Sequence, residues 1–133
     1  MIKLFIGAKG SGKTKTLIDL VNNAATNSKG SVVCIEKGDK LRFDITSKAR
    51  LIDTDAYNIT DAEKLTGFIA GILASNSDIT DVFVDSSLKI CGNDVAAFET
   101  LLKDLEPVVN DVNLVMTASI AVEECPDAIK AYA

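Results

Sequence analysis

The sequence predicts an α/β fold, a three-layer α-β-α sandwich around a mostly parallel sheet. Three observations carry that expectation. Apolar runs of strand length recur at residues 2–6, 31–35, 81–85 and 112–118. Segments with helical apolar spacing alternate with them, as happens when strands pair in parallel and helices cover both faces. A chain of 133 residues, 47% hydrophobic, can bury one sound core, so a single domain over 1–133 is expected.

Ile2 to Ile6 reads as a short buried strand. From Lys13 onward, Leu17, Leu20, Val21, Ala24 and Ala25 keep the i, i+3, i+4, i+7, i+8 spacing of an amphipathic helix. Asn27-Ser28-Lys29-Gly30 is expected to end that helix, as glycine past a C-terminus commonly does. Ser31 to Ile35 is a second buried strand, terminating in Glu36-Lys37-Gly38-Asp39. The next segment allows two arrangements. Residues 41–45 and 49–53 can form a hairpin around Thr46-Ser47-Lys48, or Leu51-Ile52 alone can be an edge strand.

Thr60-Asp61-Ala62-Glu63 offers a capping box, and Leu65, Phe68, Ile69, Ile72 and Leu73 keep helical period behind it. Gly67 and Gly71, four apart in that helix, imply close packing against a neighbouring element. Asp81 to Asp85 is a third strand. Asn93 or Asp94 caps a helix carrying Val95, Phe98, Leu101, Leu102 and Leu105, with Pro107 expected to stop it. Val112 to Ala118 is a fourth strand, and Pro126 is placed to open a short terminal helix.

Composition narrows the function classes. The formal net charge is −5 and no basic run occurs, which makes nucleic acid an unlikely partner. Histidine is absent, removing imidazole ligands and the commonest general base. Cys34, Cys91 and Cys125 are odd in number and form no C-x-x-C pair, so reduced thiols are expected. With a strand expected from Ile2, no signal peptide is expected. The longest apolar stretch, Phe68 to Ala74, is too short to span a bilayer. A soluble, cytoplasmic location is the expectation.

The chemistry concentrates in Gly7-Ala8-Lys9-Gly10-Ser11-Gly12-Lys13-Thr14, which fits G-x-x-x-x-G-K-[ST] between a strand and a helix. At average composition its four specified positions match by chance about once in 30,000 windows. Glycines let successive N–H groups point into one concave nest. The helix start adds unpaired N–H groups and the positive end of its dipole. Lys13 would reach the β- and γ-phosphates, and the Thr14 hydroxyl would bind Mg²⁺. The segment reads as a Mg-nucleotide site, and at these residues the chain resembles the P-loop NTPase superfamily.

That resemblance implies a second site element, an apolar strand ending in an aspartate that holds Mg²⁺ through water. Asp85, after Val82-Phe83-Val84, fits; a turn-capping aspartate is the other reading. Ser86-Ser87-Leu88 lacks the D-x-x-G of regulatory GTPases, and no N-K-x-D guanine-reading motif occurs, so ATP is favoured over GTP. Arg42 and Arg50, the only arginines, are thin material for the lid of a small kinase. Lys9 is one position off from the intersubunit lysine of cell-division and partitioning ATPases. The paired cysteines of the thymidine-kinase zinc lobe are missing.

RecA-like ATPases fit better. They place a water-polarising glutamate at the end of the strand after the first helix, where Glu36 stands. A polar γ-phosphate sensor ends the strand after the metal-binding one, where Thr117 and Ser119 stand. The same resemblance implies that the 112–118 strand lies between the first strand and the 82–85 strand. Arg42 or Arg50 would then neutralise transition-state charge, or else be a plain exposed arginine. The chain also looks like small bacterial ATP-binding proteins sometimes labelled twitching-motility ATPases. True pilus-retraction motors carry an extra domain and histidine-rich boxes that this sequence lacks.

These readings converge on a Mg-ATP-binding protein with slow or partner-stimulated hydrolysis. Two alternatives stand beside it. A nucleotide-dependent interaction module, within a homo-oligomer or larger assembly, fits the lack of any accessory segment after the sensor strand. A small-molecule kinase would need a second pocket, for instance near Tyr57 and residues 42–50.

Overall fold

Continuous apolar runs in the middle of the chain imply strands buried on both faces, and the computed structural model, which describes residues 1–133, has that arrangement. Five strands form: β1 (Ile2–Gly7), β2 (Ser31–Glu36), β3 (Arg50–Asp53), β4 (Ile79–Val84) and β5 (Asn113–Ser119). The helices are α1 (Lys13–Asn27), α2 (Ala62–Ser75), α3 (Ser87–Ile90), α4 (Val95–Val109) and α5 (Asp127–Lys130). Short 3₁₀ turns occupy Thr54–Tyr57 and Val122–Glu124. All five strands share one parallel sheet in the order β1-β5-β4-β2-β3. The fold is therefore the α/β sandwich expected, with β5 seated between β1 and β4.

Side-chain alternation sorts the strands' residues between two apolar layers. Val33, Ile35, Val82, Val84, Leu114 and Met116 join α2 and α4 in a cluster of 22 buried residues. Val32, Cys34 and Phe83 face α1 in a second cluster of 8. The smaller layer is completed by Leu41, Ile45 and Ala49, which plug the side of α1 without forming a strand. Residues 41–53 thus make no hairpin; only Arg50–Asp53 pairs, as a parallel edge on β2. Asn22 of α1 clamps the intervening loop, donating to the Asp44 carbonyl and accepting from Thr46 N–H, each at 2.8 Å.

Helix α1 ends at Asn27, within the Asn27-Ser28-Lys29-Gly30 segment expected to close it, and its cap is an extended Ser28. Gly30 is needed two residues later, where a Cβ would collide with the Asp78 carbonyl and the Thr80 methyl. The cap of α2 is Asp61, which accepts from Lys64 N–H at 2.8 Å, so the Thr60 capping box does not form. Gly67 and Gly71 lie on the exposed face of α2 and a Cβ there would meet nothing within 4 Å, so no close packing explains them.

Pro107 lies inside α4, which runs on to Val109 before Asn110 breaks it at φ 49°. A proline this close to the end forfeits one backbone bond without dislodging a helix held by five buried side chains. Helix α3 goes unannounced in the sequence because four residues carry no period. All three cysteines are buried and free. No helix is long and apolar enough to cross a membrane.

Candidate functional site

Parallel pairing brings the carboxyl ends of β1, β2, β4 and β5 to one rim of the sheet, where open α/β sheets take ligands. The glycine-rich loop leaves β1 there. Gly10 and Gly12 adopt φ of 85° and 87°, a left-handed conformation that costs other residues strain. Helix α1 starts at Lys13 with no side-chain cap and no acidic residue in its first turn. Its neighbours differ, since Asp61 caps α2 and Asp94 caps α4. The α1 N–H groups are thus left free for an external anion. The Lys13 ammonium bridges the loop, donating to Ala8 O at 3.0 Å and Ser11 Oγ at 3.2 Å.

Thr14 and Asp85, the residues expected to share a metal, are brought into contact. The Thr14 hydroxyl donates to Asp85 Oδ1 at 3.2 Å. Asp85 follows β4, is buried, and also accepts from the Thr117 hydroxyl at 2.7 Å. Ser86 takes a left-handed φ of 55° that aims its N–H at Thr117 Oγ1, 2.8 Å away. The Ser87 hydroxyl donates to Thr117 O at 2.7 Å, locking the start of α3 to β5. Thr117 is therefore buried behind Asp85, whereas Ser119, two residues on, faces the open cavity.

Glu36 closes β2 beside β4, and only 3% of it is exposed. Its carboxylate accepts from Leu41 N–H at 3.1 Å. Burial pushes its pKa up; backbone amides of Leu41 and Lys40 pull the other way, and Asp85 and Asp53 add to the rise. Burial, with Glu36 and Asp85 nearby, pushes the Cys34 thiol up to about 12.

A cavity of about 950 Å³ opens over these groups. Lys9, Gly10, Gly12, Lys13, Thr14, Glu36, Asp85 and Ser119 all line it, and only three of its 18 wall residues are hydrophobic. Arg42, Arg50 and Tyr57 do not line it. Arg42 is exposed, 3.4 Å from Asp39 and stacked on Phe43, while Tyr57 packs on Phe68. Nor do Arg42, Arg50 and Tyr57 line the cavity between α2 and the end of α4, whose walls include Ala70, Leu73, Val108 and Val109. Sequence reasoning misses Lys37, Lys40, Asp44, Lys89 and Asn93 as wall residues. Their only signal is position, a few residues past the carboxyl end of a strand.

The donor set suits a hard cation. One hydroxyl and one carboxylate beside a glycine-rich loop are the donor types that Mg²⁺ takes, one or two carboxylates with the rest of its shell from phosphates and waters. No cluster of three or more carboxylate or thiol ligands exists to make a protein-only cage.

No protein-family model matches the sequence, and no curated protein sequence matches it. Among solved structures, that of C. elegans PCH-2 superposes with a TM-score of 0.56 at 15% identity, over 99% of this chain and 33% of that one. The chain thus spans about a third of the length of that protein. The likeness is one of fold: a parallel α/β sheet flanked by helices.

Proposed function

We propose that this protein binds Mg-ATP at the loop 7–14 and hydrolyses it slowly, or faster when a partner completes the site. The observation that carries the reading is the contact of Thr14 with Asp85, next to an uncapped helix start and a glycine-rich loop. Lys13 and the loop amides from Gly7 to Thr14 would hold the phosphates. Thr14 and Asp85 would hold Mg²⁺, which neutralises phosphate charge when bound.

Glu36 is the candidate to orient the attacking water, and its raised pKa suits a group that handles a proton. Ser119 faces the cavity and is the better placed γ-phosphate sensor; Thr117 would act through Asp85 by fixing its orientation. The RecA-like assignment gains support from Glu36 at the end of β2 and from β5 lying between β1 and β4.

The test is phosphate release from Mg-ATP over a range of protein concentrations, with Lys13→Ala alongside and affinities from calorimetry. Release that needs Lys13 and rises per molecule with concentration fits an ATPase completed by a second subunit. Tight binding without release favours a nucleotide-dependent interaction module. Unchanged affinity in Lys13→Ala overturns the site.

A further inference from the structure

We infer that the cavity holds a second anionic ligand, a small phosphate-bearing molecule, on Lys40 and Lys89, which line it from outside the phosphate loop. This rests on the reading that the loop itself takes a nucleotide. Six of the chain's 12 lysines line this one cavity, in a protein whose net charge is −5. Three of them, Lys9, Lys13 and Lys15, belong to the phosphate loop and the first turn of α1. The other three come from a different wall. Lys37 is engaged by Asp55 at 2.7 Å, but Lys40 and Lys89 enter no salt bridge.

The two uncommitted lysines are mounted alike. Lys40 follows Glu36 by four residues, and Lys89 follows Asp85 by four, on the loops leaving the adjacent strands β2 and β4. Both mounts are anchored. The loop carrying Lys40 is folded onto the Glu36 carboxylate by Leu41 N–H, and α3 carrying Lys89 is tied to β5 by Ser87.

Three carboxylates, Glu36, Asp44 and Asp85, share the cavity with the six lysines. That leaves an excess of positive charge, which an anion relieves while the cleft focuses the attracting field. The phosphate loop already supplies the nucleotide with its own lysine, amides and helix start. Lys40 and Lys89 therefore offer a separate pair of point charges, the form in which lysine recognises phosphate. A volume of about 950 Å³ lies near the top of the range for small-molecule sites, leaving room beside a triphosphate.

The experiment titrates inorganic phosphate, followed by ³¹P NMR, into protein saturated with Mg²⁺ and the non-hydrolysable analogue AMP-PNP. Saturable phosphate binding is expected, weakened by about tenfold or more in the Lys40→Ala/Lys89→Ala double variant, with AMP-PNP affinity unchanged. Both side chains are exposed, and an unaltered melting temperature confirms that the variant folds. The inference falls if loaded protein takes no phosphate, if the double variant binds it equally well, or if AMP-PNP affinity drops in parallel. Protein that binds phosphate through these lysines but never AMP-PNP would instead overturn the nucleotide reading.

Discussion

The Thr14 hydroxyl and the Asp85 carboxylate meet at 3.2 Å although 71 positions separate them in sequence. Two parallel pairings make that possible, because β1 and β4 both lie against β5. The strand between them also supplies Thr117, whose hydroxyl grips the same Asp85 oxygen at 2.7 Å and accepts from Ser86 N–H. Asp85 is thus fixed from both sides before any ligand arrives.

Thr117→Val keeps the side-chain shape and removes both bonds. A buried carboxylate loses a donor and the half-buried Ser86 N–H loses its acceptor, which costs about 1–3 kcal/mol. Urea denaturation should report that loss. Nucleotide binding in Mg²⁺ should need a higher Mg²⁺ concentration, while binding in EDTA stays as in wild type. Unchanged stability and unchanged Mg²⁺ dependence would mean that Asp85 does not rely on Thr117.

Glycine positions should separate by backbone and by space. Gly67→Ala and Gly71→Ala put a methyl into open solvent on a helix, so each should raise stability by about 0.5–1 kcal/mol. Gly12→Ala forces a left-handed alanine and should lower it by about 1–2 kcal/mol. Gly30→Ala drives a Cβ into the Asp78 backbone and should also destabilise. Melting temperatures of the four variants test the order. A destabilising Gly67→Ala or Gly71→Ala would reveal a contact on that face of α2.

The strands read at 31–35 and 81–85 are legible because Val32–Ile35 and Val82–Val84 are buried without a break. Strand β4 itself starts at Ile79-Thr80, which carry no apolar run, and ends before Asp85. The glycine-rich loop is legible because its motif occupies eight contiguous residues, Gly7 to Thr14. Residues 37–49 are not. Leu41, Ile45 and Ala49 recur every four residues, yet they plug the flank of α1 without forming a helix, and Asn22 fixes them through bonds no local pattern announces. The same holds for Thr117 behind Asp85 and for the lysine wall, whose members meet only through the sheet order.

The thiols should be chemically quiet. Burial first, then nearby carboxylates, pushes Cys34 and Cys91 up to about 12, and burial raises Cys125 as well. Thiolate is the reactive form, so folded protein at pH 8 should react slowly with an aromatic disulfide such as DTNB. Unfolding in guanidinium should then release three thiols at once. A fast-reacting thiol in the folded protein would mark a segment that opens readily.

Glu36 couples the site to pH. Its carboxyl is buried, and that burial raises its pKa above the ordinary value of 4.5, against the pull of two backbone amides. A carboxyl with a higher pKa in the folded state holds its proton more tightly there than in the unfolded chain. This burden is absent below the unfolded value, grows as pH rises from there to the folded pKa, and persists above it. Glu36→Gln removes the titration and leaves an amide oxygen for Leu41 N–H. The variant should therefore melt higher than wild type at pH 7, and the gap should close as pH falls below 4.5. It should also keep Mg-ATP affinity and lose turnover, by about 10²–10⁴-fold if Glu36 handles the proton of the attacking water. A gap that ignores pH would trace the effect to packing alone, and full turnover in Glu36→Gln would remove Glu36 from the chemistry.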